Sequence, residues 1–232
     1  MMKTKGKLII LEAGDASGKE TQTRLLCERL LSEGRDVTRV SFPDYESDSS
    51  ALVKMYLRGD FGAQAADVDA YAASAFFAVD RYASFHTKWG EAYQRGGVIL
   101  SDRYTTSNLA HQAVKLADEN ARREYFAWLE DFEYARLGLP RPDLVVFLDM
   151  PPEASDRLLA ARAKETGAAD IHEKDKTYLH RVHDAYAEVA KIFGWARVVC
   201  GEGSTPRPPE EIAEDVYAAV LSVLNAAEDR HD

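Results

Sequence analysis

The apolar positions of this chain follow two periodicities. Near-continuous apolar runs, the mark of strands buried on both faces, stand at Leu8 to Leu11, Val98 to Ser101 and Leu144 to Leu148. Val37 to Phe42 alternates instead, with Thr38, Val40 and Phe42 on one face, and stops at Pro43, whose ring removes a ladder donor. Arg197 to Cys200 is a last short strand.

Between these runs the spacing turns helical. Leu25, Leu26 and Leu30 recur before Gly34, and Leu52, Val53, Tyr56 and Leu57 give a short helix ending near Gly59. An Ala-rich stretch from Val68 to Gln94 carries Phe76, Phe77, Tyr82 and Phe85 and reads as one long helix until Gly96-Gly97 breaks it. Further helices are predicted over Asn108 to Lys115, Glu119 to Leu137, Pro152 to Lys164 and Lys174 to Phe193. A final amphipathic helix carries Ile212, Val216, Val220 and Leu224. Glu165 to Ile171 is small and polar and reads as a mobile lid between two helices. Five strands alternating with helices predict an α/β fold, a parallel sheet covered on both faces. The pattern alone does not set the strand order.

Composition narrows the function. The 232 residues, 46% hydrophobic and 29% charged, suffice for one large core, and a single domain over residues 1–232 is expected. The net charge of −10 argues against a general nucleic-acid surface, so an anionic ligand needs a local positive pocket. Two cysteines, Cys27 and Cys200, make neither a disulfide framework nor a metal site. No run approaches the length of a membrane span or of a signal-peptide core, so no membrane contact and a cytoplasmic location are expected.

The candidate chemistry begins where the first strand ends. Ala13-Gly14-Asp15-Ala16-Ser17-Gly18 is a loop of mostly small residues that leads into Lys19 and a helix. Short residues let the backbone curl so that successive N–H groups converge on a phosphate, with the positive end of the helix dipole behind them. The match to the phosphate-loop pattern is imperfect, because Ala13 stands where glycine and Glu20 where a hydroxyl residue is expected. The next apolar strand ends in Asp102-Arg103-Tyr104 and the fourth in Asp149, at the carboxyl edge where parallel α/β sheets bind ligands.

Taken in order, Leu11 to Gln22, Phe42-Pro43, Phe77-Ala78-Val79-Asp80-Arg81, Asp102-Arg103-Tyr104, Ser107-Asn108, Pro142 to Asp149 and Asp170-Ile171-His172-Glu173 resemble the thymidylate kinase family over nearly the whole chain. The resemblance implies a P-loop kinase fold with sheet order 2-3-1-4-5 and a lid near residues 162–174. It also implies a homodimer and transfer of the ATP γ-phosphoryl group to dTMP with Mg²⁺. In such an enzyme the protein mainly aligns donor and acceptor and neutralises charge on the moving group.

The resemblance also assigns roles. Lys19 bridges the terminal phosphates of ATP, cradled by the backbone of Ala13, Gly14, Asp15, Ala16, Ser17, Gly18, Glu20 and Thr21. Asp15 matches a partner of the acceptor 3′-hydroxyl, while Arg103 and Tyr45, beside Phe42, match the acceptor-phosphate contacts. Where some family members carry Arg soon after Phe-Pro, this chain has Asp44 and Tyr45, so Arg103 and Tyr45 do more or Lys54 or Arg58 helps. Phe77 and Arg81, four apart on one helix face, would stack on thymine and donate to its O4. Asn108 and His111 fall where the base is read and a ribose 2′-hydroxyl is excluded. Because Ala16 replaces a loop arginine, the transition-state cation would come from Arg162, with Arg157 and Lys164 as alternatives. Asp102, Glu173 and Glu20 are the candidate Mg²⁺ ligands, with Asp170 as a further lid acid and Thr21 as a fallback hydroxyl. A kinase of another monophosphate, such as dUMP or dCMP, and a nucleotide-binding regulator stay open as alternatives.

Overall fold

The computed structural model describes residues 5–166, 172 and 175–228, with the side chains of 162–166, 176 and 226–228 excepted. Its five apolar runs form β1 (Lys7–Glu12), β2 (Val37–Ser41), β3 (Val98–Asp102), β4 (Leu144–Asp149) and β5 (Ala196–Val199). They make one parallel sheet in the order β2-β3-β1-β4-β5, the order implied by the resemblance. A two-residue ladder, β6 (Gly201–Glu202) with β7 (Thr205–Pro206), was not foreseen, being too short to show a period.

Alternation along the central strands sends side chains to both faces. Ile9, Leu11, Leu100, Val146 and Leu148 meet Leu26 and Leu30 of α1 (Lys19–Ser32) and Ile212, Val216, Val220 and Leu224 of α9 (Pro209–Glu228). Leu8, Ile10, Ile99 and Val145 meet Trp89, Tyr104 and Phe42 on the other face. The edge strands β2 and β5 are only partly buried.

The remaining helices are α2 (Ala51–Arg58), α3 (Ala70–Ser84), α4 (Gly90–Gln94), α5 (Thr105–His111), α6 (Glu119–Glu130), α7 (Pro152–Thr166) and α8 (Lys176–Phe193). Two long helices of the sequence reading are corrected in detail. The stretch expected over 68–94 starts at Asp69, whose carboxylate caps α3, and is interrupted by a π-helical segment at Phe85–Trp89. The stretch expected over 119–137 passes from α6 into a π-helical segment at Asp131–Arg136. The helix expected over 108–115 begins earlier, at Thr105, and ends in a 3₁₀ turn at Ala113–Lys115.

Register brings Leu11 opposite Asp102 and Asp102 opposite Ser41, so the loops after β1, β2 and β3 open from one carboxyl edge. At the same edge α8 is fixed to β4. His183 Nε2 lies 2.9 Å from Asp149 Oδ1, and Arg197 Nε donates to Asp149 Oδ2 at 2.6 Å. Hydrogen bonding to Asp149, with a smaller contribution from Asp184, raises His183 above its ordinary 6.5 against the opposing effect of burial. The bond from His183, then that from Arg197, lowers Asp149 below its ordinary 3.8. The histidine's contribution to stability is therefore complete below pH 6.5 and lost as pH rises through its raised folded value. The aspartate's is present above pH 3.8 and lost as pH falls through its lowered value. His183→Gln is expected to cost more unfolding free energy at about pH 6 than at about pH 9. Urea titrations showing the same loss at both pH values would remove this pairing from the account.

Candidate active site

Small residues shape the first wall. After Glu12 the chain turns through Gly14 to Gly18, and Gly18, at φ 79°, takes the left-handed backbone that starts α1 without a side-chain cap. The first N–H groups of α1 have no acceptor within the helix, which is what an anion needs. Lys19 folds back over the loop, its Nζ donating to Gly14 O at 3.0 Å. Ser155 of α7 holds the loop from behind by donating to Asp15 O at 2.5 Å. Burial, then the nearby Arg103 charge, lowers the Lys19 ammonium to about 8, while Asp102, Asp15 and Glu12 act in the opposite sense.

Arg103 stands just past β3 in the left-handed region, at φ 66°, a conformation uncommon for a residue with a long side chain. Its N–H donates to Leu11 O at 3.1 Å, which ties the turn to β1. Its guanidinium donates from Nη2 to Asp15 Oδ1 at 2.5 Å, and from Nη1 to Tyr186 Oη and His111 Nε2, both at 3.1 Å. The arginine therefore pairs with Asp15 rather than with its sequence neighbour Asp102. Since arginine can only donate, His111 accepts through Nε2 and carries its proton on Nδ1. Burial, then Arg103, pushes His111 well below 6.5, so the ring is neutral. Burial opposes ionisation of Asp15, but the Arg103 charge, with Lys19 adding to it, outweighs burial and holds the carboxylate charged.

These groups face a cavity of about 510 Å³, within the size range of small-molecule sites. Lining it are the loop from Asp15 to Thr21, Phe42, Tyr45, Phe77, Arg81, Asp102, Arg103, Asn108 and His111. The structure thus brings together every described acceptor-side residue read from the sequence. Arg81 is 1% exposed and forked onto the buried Glu133. Its Nε donates to Oε2 at 2.7 Å, its Nη2 donates to Oε1, and its Nη1 lies 3.5 Å from Tyr104 O. What the cavity meets is a fixed guanidinium edge that can only donate. Phe77 packs edge-on against Tyr56, whose hydroxyl is 2.9 Å from His172 Nε2.

Several expected groups have other engagements. Glu20, 86% exposed in its side chain, lies 4.0 Å from Arg39. Arg58 pairs with Asp60, and Lys54 donates to Tyr45 O at 3.2 Å. Arg157 donates to Ser204 O at 3.4 Å, away from the loop. Asp170 and Glu173 lie outside the described residues, and the side chains of Arg162 and Lys164 outside the described atoms. Among the described residues no group of three or more His, Cys, Asp or Glu could hold a metal ion.

Three residues that line or brace the cavity were not singled out from the sequence. Glu12, fully buried, accepts from Tyr104 N, Thr106 Oγ1, Ser107 Oγ and Tyr186 Oη, and so seats the start of α5 against the sheet. Burial raises its pKa despite Arg103 and those donors. A carboxylate closing an apolar strand was the available signal. Glu133 follows Tyr125 and Leu129 at four-residue steps on a buried stripe, where a charge calls for a partner. Gln112 also lines the cavity.

The sequence model of the family described as "Thymidylate kinase" matches residues 11–207. The chain is 37% identical over 192 residues to the thymidylate kinase of Mycobacterium tuberculosis (strain CDC 1551 / Oshkosh), covering 81% of this chain and 87% of that one. It is 34% identical to the thymidylate kinase of Leifsonia xyli subsp. xyli, covering 91% and 92%. It is 30% identical to a probable thymidylate kinase of Thermococcus gammatolerans, covering 93% and 96%. A match of this extent, on a 2-3-1-4-5 sheet whose phosphate loop and arginines line one cavity, shows that the chain belongs to the thymidylate kinase family, a group of nucleoside monophosphate kinases.

Proposed function

We propose that this chain transfers the γ-phosphoryl group of ATP to dTMP. The observation that carries the reading is the pair of unlike ends in one cavity: Lys19 and the start of α1 at one, and Phe77 with the Glu133-fixed Arg81 at the other. A donor-only edge accepts the carbonyl of thymine or uracil and disfavours the amino group of cytosine, because two donors cannot satisfy each other. The names of the relatives point to the thymine nucleotide.

In this reading Lys19 and the loop backbone from Ala13 to Thr21 hold the donor phosphates, and Arg103 with Tyr45 holds the acceptor phosphate. Asp15 and His111 meet the sugar, Phe77, Arg81 and Asn108 the base, and Phe42 closes the wall. Arg162 is the candidate cation for the charge on the transferring group. With no described cluster of side chains able to hold a metal by itself, a Mg²⁺ ion would be held mostly by phosphate oxygens and water, with Asp102 and Glu20, which line the cavity, as the described side chains that would reach it, and Glu173 as the further candidate from the resemblance. When bound, the ion would neutralise charge on the phosphates. A homodimer is proposed through α3, where Val79 and Tyr82 are 50% and 43% exposed. The thiols of Cys27 and Cys200 are free, in keeping with a reducing compartment.

The test is ADP release with ATP and Mg²⁺ across dTMP, dUMP, dCMP, dGMP and UMP. Preference for dTMP is expected, with dCMP poorest among the pyrimidine deoxynucleotides. Equal use of dCMP would overturn the base assignment, and ATP binding without turnover of any acceptor would favour a regulator.

A further inference from the structure

Asp80 commits both carboxylate oxygens to a loop it does not belong to. It sits in α3, is 1% exposed and does not line the cavity. Its Oδ2 accepts from Asp44 N at 2.8 Å and its Oδ1 from Ser49 Oγ at 2.6 Å. That bond uses the single hydroxyl proton of Ser49, so Ser47 Oγ, 2.8 Å away, donates to Ser49 in turn. Ser47 Oγ also accepts from Ser49 N at 3.4 Å and so caps the 3₁₀ turn at Asp48–Ser50 that leads into α2. A second tie runs from Lys88 Nζ to Asp44 Oδ2 at 2.5 Å. Residues 44–49 are thereby hung from α3 at both ends.

A carboxylate this deeply buried is unfavourable unless its bonds are made, and these bonds lead to the segment that carries Tyr45. Tyr45 faces the cavity but is 53% exposed, so core packing does little to aim it and the backbone of the loop does more. The next residue of α3 is Arg81, the fixed donor edge for the base. We propose that Asp80 is a positioning residue, which holds the 44–49 loop so that the Tyr45 hydroxyl meets the acceptor phosphate. One turn of α3 then sets the distance between the base contact and the phosphate contact. This rests on the reading of the cavity as the acceptor site, with Tyr45 on the phosphate.

The test separates aim from stability. In the full chain, Asp80→Ala should raise KM for dTMP about 10-fold or more and leave KM for ATP within about 2-fold. The thermal shift given by thymidine, which lacks the phosphate, should stay as in the wild type. Asp80→Asn should remain within about 3-fold of wild type, because its amide can accept from Asp44 N and donate to Ser49 Oγ, whose proton then turns to Ser47. If Asp80→Ala does not fold, Ser49→Ala, which removes one tie at a half-buried site, should still raise KM for dTMP about 3-fold while lowering the melting point by no more than about 4 °C. In a Tyr45→Phe background the same changes should add little, since the group they aim is gone. A purely structural role would lower the melting point with KM for dTMP unchanged, or would add in full to Tyr45→Phe, and either result overturns the proposal. So does an asparagine as damaging as alanine. If Tyr45→Phe alone leaves KM for dTMP unchanged, the phosphate contact assigned to Tyr45 falls and the proposal with it. Wild-type turnover on dTMP tests the function by itself. If the wild type prefers another monophosphate, the comparison is read with that acceptor and its nucleoside. If none is turned over and none shifts the melting point, both readings fall.

Discussion

Glu133→Ala is expected to lower the unfolding free energy by about 3–5 kcal/mol, because it strands a guanidinium in the core. Arg81 and Glu133 are 1% and 0% exposed, and the pair is bidentate. Burial disfavours the Arg81 charge, and Glu133 is the main group that restores it. Thr105 Oγ1, which donates to the same carboxylate at 2.7 Å, loses its acceptor as well. The double variant Arg81→Leu/Glu133→Leu, which removes both charges, should recover much of that stability while acceptor binding stays impaired. Urea unfolding with an unchanged m-value measures the difference. A loss below about 1 kcal/mol for Glu133→Ala, the range of exposed pairs, would show that water reaches the arginine.

Under the proposed function, in which the ammonium acts on charge that develops in the transition state, Lys19→Ala should reduce kcat by about 10³-fold with little change in KM for the acceptor. Its pH dependence follows from its surroundings. With its pKa lowered to about 8, the ammonium is charged at neutral pH and loses its proton as pH rises through that value. In the free enzyme kcat/KM for ATP should therefore fall on the alkaline side of about pH 8. A profile flat to about pH 10 would place that titration elsewhere.

Much of this was legible before any coordinates, for physical reasons that differ from element to element. The strands announced themselves because β1, β3 and β4 are buried on both faces and so cannot alternate. Their order could come only through resemblance, since connections that cross a sheet leave no trace in local periodicity. The π-helical segments at 85–89 and 131–136 were invisible because they preserve an apolar stripe while shifting its phase. The phosphate loop was readable as one contiguous stretch, and Arg81 and Arg103 as parts of short motifs. Glu133, 52 residues from the arginine it fixes, was not, nor was Gln112, whose side-chain amide has no hydrogen-bond partner among the described residues.

The grip of Asp15 on Arg103 has a kinetic meaning under the proposed function. Before a nucleotide arrives, the guanidinium already holds an anion of its own, so an incoming phosphate displaces a carboxylate rather than filling an empty charge. The exchange weakens the first encounter but works equally in reverse. When the product must leave, Asp15 is tethered within reach to take its place, and an internal competitor of this kind hastens departure in a way that a site built only of cations would not.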